Sequence, residues 1–139
     1  MNRIRIARDW RAGGNVFLDI EQAGYIPNVF HYSAIISKCA KDRRPDKAMG
    51  FLKRMINQGV RPNAIVFGAA IDACARTGQY QHAMFLLNEM KEKYGVKPNL
   101  KCFSAAISAC EKAAKWEEAV KLLRRMAQEG VEPNVCDIL

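Results

Sequence analysis

No run of about 20 apolar residues occurs anywhere in the chain, so nothing in it reads as a membrane-spanning helix. Histidine is scarce. His31 and His82 have no acid or nucleophile at a recognisable spacing, and no Gly-rich phosphate loop or G-x-S-x-G elbow is present, which argues against a catalytic site. The cysteines (Cys39, Cys74, Cys102, Cys110 and Cys136) are odd in number and include no C-x-x-C pair. That pattern argues against a disulfide framework and a zinc centre, and fits a reducing compartment. No cofactor, metal or small-molecule substrate is therefore expected. Acidic residues are also few, with 14 Asp and Glu against 22 Lys and Arg for a net charge of +8. Such an excess favours polyanionic partners and electrostatically steered association.

What the chain does contain is a repeat, and its punctuation shows it. Pro-Asn occurs at Pro27-Asn28, Pro62-Asn63, Pro98-Asn99 and Pro133-Asn134, with spacings of 35, 36 and 35 residues. Each is preceded by Gly and an aliphatic or aromatic residue: Gly24-Tyr25, Gly59-Val60, Gly95-Val96 and Gly130-Val131. Cys39, Cys74 and Cys110 then fall into register, as do Ala48, Ala83 and Ala119, and Met55, Met90 and Met126. The one extra residue lies in KEKYGVKPN, just before a Gly, where a helix end tolerates insertion.

The whole chain, 1–139, thus reads as one array: a partial unit 1–28, full units 29–63, 64–99 and 100–134, and the start of another at 135–139. Beginning and ending mid-unit is what a piece of a longer array would do, because solenoids usually close with polar capping repeats. In the partial unit Trp10 takes the place of Pro45, Tyr80 and Trp116, Gly13 that of the alanines and Ile20 that of the methionines. The N-terminal MNRIRIARDWRAGG resembles the end of an organelle transit peptide in composition, but the repeat register explains it better, so no clear targeting segment is assigned.

Each unit should form two helices. Residues 65–76 carry small and apolar side chains at helical spacing, and Ala119, Leu122, Leu123 and Met126 set an amphipathic period over 116–128. Gly59, Gly95 and Gly130 stand where a helix needs a left-handed C-terminal residue, and the following Pro stops continuation. No β pattern competes. A lone helical hairpin cannot bury its apolar face, so the units must stack. The matched Cys and Met, and Trp10, Tyr80 and Trp116, are expected in the core, the aromatics in seams between second helices.

A hairpin of about 35 residues ending in Gly-Val-Arg/Lys/Glu-Pro-Asn, with Tyr32, Phe67 or Phe103 opening the next helix, resembles the pentatricopeptide repeat family. The EEAVKLLRRM type of second helix matches too. The resemblance implies an all-α, right-handed α-solenoid of helix-turn-helix repeats that binds single-stranded RNA at one base per repeat, a relation already general for the family. It also implies a place in a mitochondrion or plastid, in RNA processing, editing, stability or translation.

The family reads a base with the fifth and last residues of a unit, which here are Ser33 with Asn63, Gly68 with Asn99, and Ser104 with Asn134. In the family Ser with Asn goes with adenine, whose edge mixes donor and acceptor, and Ser with Asp goes with guanine. Gly68 departs from the pattern, and its unit should read poorly, giving a preferred A-N-A core in the family's parallel orientation. The second residues, Phe30, Ile65 and Lys101, are expected to flank the bases, Lys101 being a departure that offers a stem and a charge. Lys41, Arg76 and Lys112 stand where the family approaches phosphates.

Plainer roles exist for the same residues. Asn before a helix is a good N-cap, and Ser near a helix start can bond the backbone. The alternative class is a protein-binding scaffold of the tetratricopeptide kind; the 35-residue period, the terminal Pro-Asn and the recurring first-helix cation weigh against it. A catalytic domain, if the repeats deliver one, would lie elsewhere in a longer protein.

Overall fold

Local chemistry starts each first helix. Asn28, Asn63 and Asn99 hold extended backbone, and their side-chain carbonyls accept the N–H of His31, Val66 and Cys102 at 3.0, 3.0 and 3.1 Å. Each bond satisfies one orphan donor of a helical first turn. The computed structural model describes residues 18–131. After a helical stretch at 18–22 come α1 (Val29–Lys41), α2 (Pro45–Asn57), α3 (Ala64–Arg76), α4 (Tyr80–Glu92), α5 (Leu100–Lys112) and α6 (Trp116–Gln128). Trp10, Gly13, Asn134 and Cys136 lie outside the described residues.

The two turns of each unit are closed by carbonyls at matched positions. Between first and second helices the Cys39, Cys74 and Cys110 carbonyls accept the N–H of Arg44, Gln79 and Lys115 at 2.8, 3.0 and 2.8 Å. After the second helices the Met55 and Met126 carbonyls accept the N–H of Val60 and Val131 at 3.1 and 3.0 Å, with Gly59 and Gly130 at φ 77 and 75°. This 6→1 closure needs a left-handed residue, which only glycine supplies without strain. The extra residue of the middle unit lengthens that turn by one: Val96 N–H bonds Met90 at 2.7 Å, and Tyr94 folds its ring to 5.7 Å from that of Phe67.

First helices stack on one another, α1 on α3 and α3 on α5; each second helix packs on its own first helix, and α2 and α4 pack on the next one as well. The result is a two-layered solenoid, with one layer built of first helices and the other of second helices. Tyr32, Phe67 and Phe103, the matched Cys, Ala and Met sets, and Ile35, Ile36, Ile71 and Leu87 fill the space between layers. Burial pushes the Cys39 thiol up to about 12 and that of Cys74 to about 11, and raises Cys110 as well, so the thiols stay protonated at neutral pH.

Polar ties join successive second helices. Arg54 pairs with Glu21, and Gln58 Nε2 donates to Glu21 at 3.0 Å; further along, Arg125 donates to Asn88 at 2.6 Å and Lys91 pairs with Glu129 at 3.3 Å. One expected core residue is not there. Tyr80 packs against the core beside the α5–α6 turn, with Lys115 Nζ 5.7 Å over its ring, but Trp116 is 62% exposed. The cover for this position comes from the inter-helix turn one unit on, and no such turn lies among the described residues.

Asn28 and His31 form a reciprocal capping box, in which Asn28 N–H donates to His31 Nδ1 at 3.0 Å. The bond requires neutral imidazole, and burial holds the His31 pKa below its usual 6.5. An unfolded chain therefore binds this proton more readily, and the contribution of the box is present above pH 6.5 and lost as pH falls through the folded value. Urea midpoints at pH 7.5 and pH 5 should fall further for the wild type than for His31→Gln, which keeps a box acceptor that does not titrate.

Candidate nucleic-acid interface

Where α1 meets the start of α3, the layer of first helices opens into a cleft of about 540 Å³. From α1 it is lined by Phe30, Ser33, Ala34, Ser37, Lys38 and Lys41, and from the next unit by Asn63 and Ile65. The cleft thus brings together the expected reading pair of the first unit, both of its flanking residues and its cation. Phe30 and Ile65 are 58% and 60% exposed, unusual for such side chains, and each offers an apolar surface to an occupant.

The hydrogen bonds of the pair determine what it can offer. Ser33 Oγ donates to the Val29 carbonyl at 2.8 Å, which leaves its lone pairs as acceptors. Asn63 Oδ1 is occupied as the cap of α3, and its amide nitrogen makes no hydrogen bond to a described residue. One acceptor and one amide donor are therefore left available on residues that line the cleft. Capping uses Oδ1 alone, so the cap role of Asn63 is compatible with the expected role of its amide nitrogen.

The other units are built differently. In the middle one, Gly68 is buried against α5: a Cβ there would stand 3.6 and 3.7 Å from Cγ and Cδ of Lys101. The stem of Lys101 thus lies over the place where a reading side chain would be. Asn99 caps α5 as Asn63 caps α3. In the third unit Ser104 Oγ is closed off from solvent and has no hydrogen-bond partner among the described residues, unlike Ser33, and its expected partner Asn134 lies outside them. Lys41, Arg76 and Lys112 all end first helices and are exposed. Lys41 makes no ion pair among the described residues, whereas Arg76 Nε is 3.1 Å from Asp72 Oδ2.

Ser37 and Lys38, which no sequence motif marks, line the cleft one turn beyond Ser33 and Ala34. Helical spacing of four residues was the available signal. No motif marks Asp72 either, although the register sets this residue against Ser37 and Ser108. Among the described residues no group of His, Cys, Asp and Glu could hold a metal, and no helix is long and apolar enough to cross a membrane.

A family model described as the pentacotripeptide-repeat region of PRORP matches residues 28–139. The chain belongs to the pentatricopeptide repeat family. A chloroplastic pentatricopeptide repeat-containing protein of Arabidopsis thaliana is 36% identical over 86 residues, which are 61% of this chain and 17% of that protein. The chain therefore spans about a sixth of the length of that relative. Among solved structures, PPR10 of maize in complex with an 18-nt psaJ RNA element superposes with a TM-score of 0.83 at 20% identity, covering 96% of this chain and 20% of that one. The PPR domain of Arabidopsis thaliana protein-only RNase P 1 in complex with tRNA gives a TM-score of 0.80 at 17% identity, covering 92% and 67%. At these identities the likeness speaks for the fold: a pentatricopeptide solenoid, all helical.

Proposed function

We propose that this chain binds single-stranded RNA along the face formed by α1, α3 and α5, as a base-selective module of a longer organellar RNA-processing protein. The observation that carries the reading is the α1–α3 cleft, which unites two exposed apolar flanks, an acceptor and donor pair, and cations at its end. An unstacked base needs those three things: surfaces to lie between, an edge to meet, and neutralisation of its phosphate. The two superposed structures hold an RNA element and a tRNA. Relatives named chloroplastic and mitochondrial support the organellar setting. Any catalytic step would fall to another part of such a protein.

In the first unit, Phe30 and Ile65 sandwich the base, Ser33 Oγ accepts from its amino group, and the Asn63 amide donates to its ring nitrogen. Adenine presents that pair of groups on a purine-sized ring; cytosine presents it on a smaller one that fills less of the cleft. Lys41, Arg76 and Lys112 line the path of the phosphates, with Lys38 beside the first of them and Arg76 paired with Asp72.

The direct test is selection of ligands from random RNA pools, followed by titration of the winners at several salt concentrations. Each phosphate neutralised contributes roughly −0.7 to the slope of log affinity against log salt, so a three-cation ladder sets a limit near −2. A protein-binding scaffold would select no RNA. Binding without a salt slope would remove the nucleic-acid reading.

A further inference from the structure

We propose that Asp72 silences the phosphate contact of the central unit, making that unit an electrostatic spacer between two that hold the backbone; the inference rests on the RNA-binding reading above. The ninth positions of the three units are Ser37, Asp72 and Ser108, and the thirteenth are Lys41, Arg76 and Lys112. Residues four apart lie on one helix face a turn apart, so the ninth position borders the line of cations. Only in the central unit does it carry a charge, and that charge is paired with the cation: Asp72 Oδ2 lies 3.1 Å from Arg76 Nε.

The pair has two effects on a passing phosphate. It engages the Nε–H of the guanidinium, and it sets a carboxylate beside the path, so attraction by Arg76 is offset by repulsion from Asp72. The other reading devices of this unit are altered in the same direction. Gly68 presents no edge, and the stem of Lys101 lies against it. Edge, flank and phosphate cation thus all depart from the first unit's arrangement in the one repeat. A substitution at Asp72 alone probes the electrostatic part. The pair is exposed and within one helix, so it contributes little to folding, and Asp72→Ser installs the residue of both neighbouring units.

The experiment is a double-mutant cycle on the 139-residue chain: wild type, Asp72→Ser, Arg76→Ala and the double variant. The probes are short RNAs with adenine at the first and third positions and each base in turn between them, titrated at 50 and 200 mM salt. Asp72→Ser should tighten binding whatever the middle base, and steepen the salt slope from about −1.4 for two contacts to about −2 for three. Its advantage should shrink about 2.6-fold between the two salt concentrations, the fourfold salt ratio raised to the power of roughly 0.7. Arg76→Ala alone should change affinity less than Lys41→Ala does, and on that background Asp72→Ser should give no steepening. Weaker binding by Asp72→Ser would overturn the proposal, because Asp72 would then be orienting Arg76 toward the phosphate. A loss confined to one middle base would overturn it too, since Asp72 would be touching that base. If the wild type binds RNA with a salt slope and the cycle shows no coupling, this inference falls alone; if no variant binds RNA, the underlying reading falls with it.

Discussion

Phe67→Ala is expected to remove about 3–5 kcal/mol of folding stability, whereas Phe30→Ala should leave stability within about 0.5 kcal/mol and weaken RNA binding instead. Both are phenylalanines near the start of a first helix. Phe67 is 1% exposed, lies between the two layers of the middle unit and meets the ring of Tyr94. Truncating it leaves a cavity that α3 cannot close, since α3 is packed between α1 and α5. A domain of this size holds only about 5–15 kcal/mol in all, so the loss is a large share of the total. Phe30 points out beside the α1–α3 cleft, and its removal opens no cavity. Stacking against a base is worth roughly 1–3 kcal/mol, and that is the loss expected in affinity. Urea midpoints and RNA titrations on both variants check the contrast. A Phe30→Ala midpoint that moved as far as that of Phe67→Ala would place Phe30 in the core and dismantle the cleft.

How much of this could be read in the sequence follows from how local each cause is. The Pro-Asn dipeptides announced the first helices because an N-cap acts within three residues, and the glycines announced the ends of the second helices because a 6→1 closure acts within five. Core registers followed from periodicity, as the buried Cys, Ala and Met sets show. Longer-range features were not legible. The ties through Arg54 and Arg125 reach partners 33 and 37 residues away, and the middle unit carries Glu89 at their position, so no repeated charge marks them. Trp116 shows the limit of register reasoning: an aromatic matched to Tyr80 is buried only when the next unit's turn covers it. Ser33 and Ser104 look equivalent in sequence, yet one bonds its helix and stays in the cleft while the other is closed off without a partner among the described residues. Which atoms of a reading pair remain free depends on rotamers, and rotamers depend on neighbours that spacing does not reveal.

Replacing Asn63 with Asp should shift the first base preferred by this chain from adenine toward guanine, with a change in their affinity ratio of roughly 5- to 150-fold for 1–3 kcal/mol of discrimination. Asn63 caps α3 through Oδ1, and aspartate is an equally good cap whose charge suits a helix N-terminus, so folding should be preserved. Only the free side of the group changes, from an amide that donates to a carboxylate oxygen that accepts. Ser33 already spends its hydroxyl proton on the Val29 carbonyl, so both members of the altered pair would accept. Guanine answers with its ring N–H and amino group, both donors, whereas the ring nitrogen of adenine would face a second acceptor. The added negative charge should lower affinity for every RNA somewhat at low salt, so the measurement that decides is the adenine-to-guanine ratio among oligomers varied at that single position. Preference at the third position should not move, because its reading pair lies two units away. If Asn63→Asp weakened all oligomers alike, Asn63 would be a cap and a general contact, and the base-reading assignment would fall while RNA binding stood.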